Sequence, residues 1–158
     1  MTTPTTTTTT AAAAAAALSE SELPGLKLLF RGKVRDVYDL GDALLIVATD
    51  RLSAFDVVLP TPIPGKGEIL TQLSNFWFAK LGSAAPHHLT TRRLRDALKD
   101  DDLALRYASR SVIVEKAKPL KVEAIVRGYL AGSGLIEYRE KGSVSGIALP
   151  PGLRESER

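Results

Sequence analysis

The sequence predicts an α+β fold, an antiparallel sheet with helices packed against it, and three observations lead there. Between Leu26 and Ala48, short apolar runs follow one another across tight turns, which joins strands antiparallel rather than through βαβ crossovers. From Ile69 to Leu81 the apolar period lengthens to that of a helix. Two later apolar runs, Ser111–Glu115 and Val122–Val126, read as further strands around Lys116–Lys121.

The elements follow in order. Leu26–Phe30 is a strand, Arg31-Gly32-Lys33 interrupts it, and Val34–Leu40 resumes with alternating character. Gly41-Asp42 makes a turn into the nearly continuous apolar run Ala43–Ala48. Thr49–Asp56 is a polar loop and Leu59–Pro64 is broken by proline. In the helix, Ile69, Leu70, Leu73, Phe76, Trp77 and Leu81 share a face expected to cover the sheet, with Phe76 and Trp77 as core anchors. Gly82 ends it. A short helix is expected within Arg92–Tyr107, with Asp100-Asp101-Asp102 exposed; adjacent carboxylates seldom converge on one metal ion. Ser133–Lys141 reads as a helix stopped by Gly142, and Ala148–Arg158 as irregular and charged.

Composition narrows the function. The chain has 158 residues, enough for one ordinary core, and a formal net charge of +3 with acids mixed among the bases. That is not the basic stripe of a nucleic-acid binder. There is no Cys, which excludes disulfides and thiol chemistry. Residues 1–22, a Thr/Ala-rich leader, are expected to be disordered, with the working domain over residues 23–158. No apolar stretch approaches a membrane span, and the leader lacks a secretory pattern, so cytoplasm is expected ahead of plastid.

Two segments could hold an anion. In VEAIVRGYLAGSG, Val122–Gly134, a strand would deliver the planar donor fork of Arg127 beside a helix beginning at Ser133. Phosphate or carboxylate suits such a cradle; an Arg paired with a structural Asp and a capping Ser is the plainer alternative. In RGKVR, Gly32 lets backbone approach a ligand while Lys33 and Arg35 supply charge, although an ordinary hairpin bulge has the same pattern. DRLSAFD, Asp50–Asp56, is either a self-satisfied turn capped by Asp50 and Ser53 or a substrate-facing loop. Lys66 stands between Gly65 and Gly67 at the start of the aromatic helix, as an anion contact or an exposed lysine. His87 and His88 diverge as sequence neighbours and receive neither a metal nor a general-base role.

The segments RGKVRDVYDL, LLIVATDRLSAFDVVL, PIPGKGEILTQLSNFWF, VEAIVRGYLAGSG and LPPGLRESER together resemble the phosphoribosylaminoimidazole-succinocarboxamide synthase (SAICAR synthetase) family, in family order from Arg31 to Arg158. The resemblance implies a sheet-rich ATP-binding lobe related to kinases and ATP-grasp enzymes, with the start of a second lobe whose remainder is largely missing. It implies an ATP-dependent ligase of de novo purine synthesis joining L-aspartate to carboxyaminoimidazole ribonucleotide, with Mg2+. By position, Gly32, Lys33 and Arg35 would meet the ATP phosphates, Lys33 and Arg35 also acting in catalysis. Glu115, Lys116 and Lys118 would lie in the linking strand that receives adenine. Ser53, Asp56, Lys66, Glu123, Arg127 and Ser133 would surround the ribonucleotide. Lys121 stands where the family often has Pro, and the family's later D-x-K-x-E and acidic Mg-binding segments are absent from the 158 residues. The resemblance names no protein or nucleic-acid partner and leaves oligomeric state open. A kinase-like nucleotide-binding module and an inactive fragment are the alternatives.

Overall fold

A computed structural model describes residues 16–122 and 124–157. It divides into two units, one ending at Ala117 and one starting at Lys118. The Thr/Ala tract 1–15 and Glu123 lie outside the described residues.

The first unit is organised by a four-stranded antiparallel sheet in the order β1 (Lys27–Arg31), β2 (Arg35–Asp39), β3 (Ala43–Ala48) and β6 (Ser111–Glu115). Between β3 and β6 come the small hairpin β4 (Ser53–Ala54) and β5 (Val57–Val58), then α1 (Lys66–Leu81), α2 (Leu94–Ala97) and α3 (Asp101–Ala108). Strand alternation sends the sheet's side chains to two faces. The register pairs Tyr38 with Leu45 and Leu45 with Ile113, and these residues share a face with Val47. They form the core with Leu23, Leu98, Ala104 and Tyr107. Helix α3 is capped by Asp100, whose carboxylate accepts from the Leu103 amide at 3.0 Å.

Several expectations are corrected. The folded chain starts before Leu23: the Leu18 amide donates to Asp50 at 2.8 Å, and fully buried Ser21 donates to Asp36 from both its amide and its hydroxyl. The span Arg92–Tyr107 holds two helices, separated at Leu98 where the backbone is extended. The loop Thr49–Asp56 contains β4, half of a two-residue ladder. The described residues of Val122–Val126 form no strand; Val126 is 96 % exposed. An apolar run becomes a strand only where a neighbour accepts its hydrogen bonds.

The largest correction concerns α1. Its apolar stripe does not cover the sheet: Phe76 and Trp77 are about half exposed, as are Leu70, Leu73 and Leu81. The side turned inward is small and polar, with Gly67 and Thr71 the buried residues of the helix. A β-carbon at Gly67 would lie 2.4 Å from the Ala48 carbonyl oxygen, so the helix approaches β3 backbone to backbone. That contact is invisible to an apolar-periodicity reading.

The second unit is built on α4 (Gly132–Lys141), ended by Gly142 in the left-handed conformation, and the hairpin β7 (Ser143–Val144) and β8 (Ile147–Ala148). Ser145 and Gly146, both at positive φ, make its two-residue turn. Leu135 is buried, and the Tyr138 hydroxyl ties down the following segment by donating to the Pro150 carbonyl at 2.6 Å.

Candidate functional site

The β1–β2 turn is tight: the Gly32 amide donates to the Arg35 carbonyl at 2.7 Å, and a β-carbon on Gly32 would come 3.3 Å from that oxygen. Arg51, from the DRLSAFD segment, braces this flap. Its guanidinium donates to the Gly32 carbonyl at 2.8 Å, the Lys33 carbonyl at 3.1 Å, the Ser19 carbonyl, and Asp36 Oδ1 at 2.8 Å. Asp36 is fully buried, so the pair fixes the flap from beneath. Sequence reasoning passed over both residues. The available signal was slight: Asp36 adjoins Val37 and Tyr38, but the same strand also carries Arg35 and Asp39.

The flap's two cations part company. Lys33 Nζ pairs with Asp56 at the β4–β5 turn, and this lysine holds the Asp56 carboxyl below its usual range. Phe55 and Asp56, both at positive φ, form that turn, with the Phe55 side chain fully exposed. Arg35 instead lines a cleft of about 290 Å³ between the sheet and α1, reaching along the helix from Lys66 to Phe78. Lys66, Thr71, His88 and Arg110 line the same cleft. Lys33 and Asp56 are thus brought together, and Arg35 and Lys66 share a cavity. Ser53 sits in β4, opposite Val58. His87 and His88 stack edge-on against Phe78, with centroids 5.1 and 5.4 Å away.

A second network sets the start of α1. Asp50, fully buried, accepts from the Gly67 amide at 2.8 Å, the Leu18 amide at 2.8 Å and Arg110 at 3.1 Å. Arg110 also reaches Glu68 at 2.8 Å. Burial opposes ionisation of Asp50, but the Gly67 and Leu18 amides and Arg110 outweigh it and lower its pKa. Asp50 therefore does not cap its own turn as expected: it accepts from amides 17 and 32 positions away, and Ser53 pairs through its backbone ladder.

At the end of β6, the Glu115 amide donates to the His88 carbonyl at 2.8 Å. Lys116 Nζ donates to Asp39 at 2.6 Å and to the Gly41 carbonyl, which pulls the Asp39 carboxyl down. The adjacent boundary between units falls between Ala117 and Lys118, within the segment read as a linker. Lys118 is exposed and Glu123 is outside the described residues.

In the second unit, Arg127 lies at the start of α4 without a strand to carry it. A β-carbon on Gly132, which has φ +58°, would come 3.3 Å from Arg127 Nη1 and 3.4 Å from Cζ. The helix begins after Ala131, which supplies no capping side chain, and among the described residues no other side chain accepts from its first amides. Ser133 is the second helical residue rather than the cap. A guanidinium beside uncapped amides and a positive dipole end can chemically hold an anion.

Among the described residues no group of three or more His, Asp or Glu side chains could hold a metal ion. The described residues therefore form no protein-only cage for magnesium.

A glycine flap braced by Arg51, on an antiparallel sheet with helices beside it, makes this an α+β protein. Comparison with known proteins narrows the class. A sequence model of the SAICAR synthetase family matches residues 28–158, and the chain belongs to that family. It is 55 % identical to the phosphoribosylaminoimidazole-succinocarboxamide synthase of Stenotrophomonas maltophilia (strain R551-3) and 54 % to that of Xanthomonas oryzae pv. oryzae (strain PXO99A). Each comparison covers 89 % of this chain and 49 % of the relative, so the chain spans about half their length. Among solved structures it resembles a SAICAR synthase (TM-score 0.79) and the Saccharomyces cerevisiae SAICAR-synthase complexed with SAICAR (TM-score 0.78). Both are 41 % identical to it, and the match covers 89 % of this chain and 50 % of theirs. Among the described residues no helix is long and apolar enough to cross a membrane.

Proposed function

We propose that this chain supplies the nucleotide flap and the ribonucleotide cradle of an ATP-dependent ligase. The enzyme joins L-aspartate to the carboxylate of carboxyaminoimidazole ribonucleotide in purine synthesis. The observation that carries the reading is Arg127 against the uncapped N-terminus of α4, an anion cradle within one of the segments by which the chain resembles its family. The names of its relatives support the substrate assignment.

A carboxylate is a poor electrophile. In the proposed reaction one of its oxygens attacks the γ-phosphorus of ATP, ADP leaves, and an acyl phosphate forms. The aspartate amine then attacks the acyl carbon, phosphate departs, and the amine proton passes to solvent. The protein's part is orientation and charge neutralisation. Gly32 brings backbone to the phosphates, and Lys33 and Arg35 offset their charge; Lys33 would exchange Asp56 for phosphate. The Glu115–Lys118 segment receives adenine, and in the second unit Arg127 and the α4 amides hold the ribonucleotide. Magnesium, when bound to ATP, would neutralise phosphate charge.

Calorimetric titration tests the assignment. Arg127→Ala should weaken ribonucleotide binding about 10- to 100-fold, the loss of one charged bidentate contact, and leave ATP binding nearly unchanged. Lys33→Ala should do the reverse. Equal losses for both ligands in either variant contradict the roles.

A further inference from the structure

We propose that the apolar face of α1 is the docking surface for the half of the family fold that this chain does not contain. At 100° per residue, Phe76, Ile69, Leu73, Trp77, Leu70 and Leu81 fall within an arc of about 140°, and the inward-facing Gly67 and Thr71 lie outside it. These six side chains are 46–66 % exposed. With large apolar side chains of up to about 250 Å² each, they leave on the order of 600 Å² of contiguous apolar surface, at the upper limit for a monomer.

The surface is shaped as well as apolar. Leu70, Leu73, Trp77 and Leu81 form one wall of a groove of about 570 Å³, whose other wall is Ala84, Ala85 and Pro86. Trp77 packs edge-on against Phe76 at 5.3 Å, and Lys80 Nζ lies 5.2 Å from the Trp77 ring centre. An aromatic centre with a cationic rim is the composition of a protein interface.

The occupant follows from the lengths compared. The relatives are about twice as long as the segment they share with this chain, which leaves 51 % of the Stenotrophomonas enzyme without a counterpart here. The sheet cannot be the occupant, because α1 already meets it through Gly67. Within a family fold of that length, the unmatched half is the partner to which we assign the face, and it would have to present apolar side chains with acidic groups placed to meet Lys80.

Trp77 is the chain's sole tryptophan and sits inside the face, so it reports directly on covering. The chain is labelled there with 5-hydroxytryptophan, excited apart from ordinary tryptophan. It is then mixed with the unmatched half of the Stenotrophomonas enzyme produced as a separate polypeptide. The expected result is a 1:1 complex by sedimentation, a blue-shifted label, and at least tenfold weaker association for Leu73→Glu or Trp77→Glu. A single-chain chimera of the two halves gives a second reading if the separate half does not fold. There Leu73→Glu should lower the melting temperature, while in the chain alone it should change little. A complex without a label shift, or equal effects of Leu73→Glu in chimera and chain, overturns the proposal. A concentration-dependent shift in the chain alone assigns the face to a second copy and also overturns it.

Discussion

Gly67→Ala tests whether α1 meets the sheet through backbone. In an unconstrained helix interior the change is favourable by about 1 kcal/mol, because alanine has the higher helix propensity. Here the new β-carbon would sit 2.4 Å from the Ala48 carbonyl oxygen and 2.9 Å from its carbon, both backbone atoms that cannot rotate away. Relieving the contact moves the helix start by about 0.6 Å or more, at an overpacking cost of about 1–3 kcal/mol. The same movement stretches the 2.8 Å bond from the Gly67 amide to buried Asp50, a charged hydrogen bond worth about 1.5–3 kcal/mol. Set against the propensity gain, the net expectation is a destabilisation of about 2–4 kcal/mol. Urea unfolding of the purified chain, followed by far-ultraviolet circular dichroism, measures it. Gly41→Ala is the comparison: φ is +85° and nothing lies within 4 Å, so only the left-handed backbone opposes it, by about 1 kcal/mol. A Gly67→Ala protein as stable as the parent, or more so, would refute the close approach of α1 to β3.

Further outcomes follow from the two buried acids and the cradle. Arg51→Ala leaves Asp36 charged and buried without its main partner, so unfolding free energy should fall by about 3–5 kcal/mol, read from a urea midpoint. Arg51→Lys should recover only part of this, since an ammonium cannot span the Gly32 and Lys33 carbonyls and Asp36 together. Asp50 has a folded pKa below its ordinary 3.8, so the stability it confers is present above that pH. It is lost as pH falls through the folded value; an acid titration of the melting temperature should drop below pH 3.8, and less steeply in Asp50→Asn. Gly132→Ala would press a β-carbon on the Arg127 guanidinium, and about tenfold weaker ribonucleotide binding with unchanged ATP binding is expected by calorimetry. Unaltered ribonucleotide affinity would separate Arg127 from the cradle.

The sheet was legible because its causes are local. Ala43–Ala48 and Ser111–Glu115 are strands with the residue limits read from their apolar runs, and Gly142 stops α4 as its lack of a β-carbon suggests. Val122–Val126 has equal strand character, but the described part finds no partner, and strand formation needs one. The site was legible as an inventory of cations. Which of them meet was not: Lys33 turns to Asp56 and Arg35 to the cleft it shares with Lys66, choices made by residues 23 and 31 positions away.

The strands β3 and β6, the helices α1 and α4, the tight Gly32 turn and the family were therefore legible in the sequence alone, since each depends on neighbours in the chain or on an ordered set of motifs. The direction faced by α1, the burial of Asp36 and Asp50, and the bracing of the flap by Arg51 were decided only in three dimensions. The physical reason is the same for all three. Whether an apolar face or a charge is buried depends on what the rest of the fold brings against it, and one backbone contact at Gly67 turns the helix's apolar stripe outward.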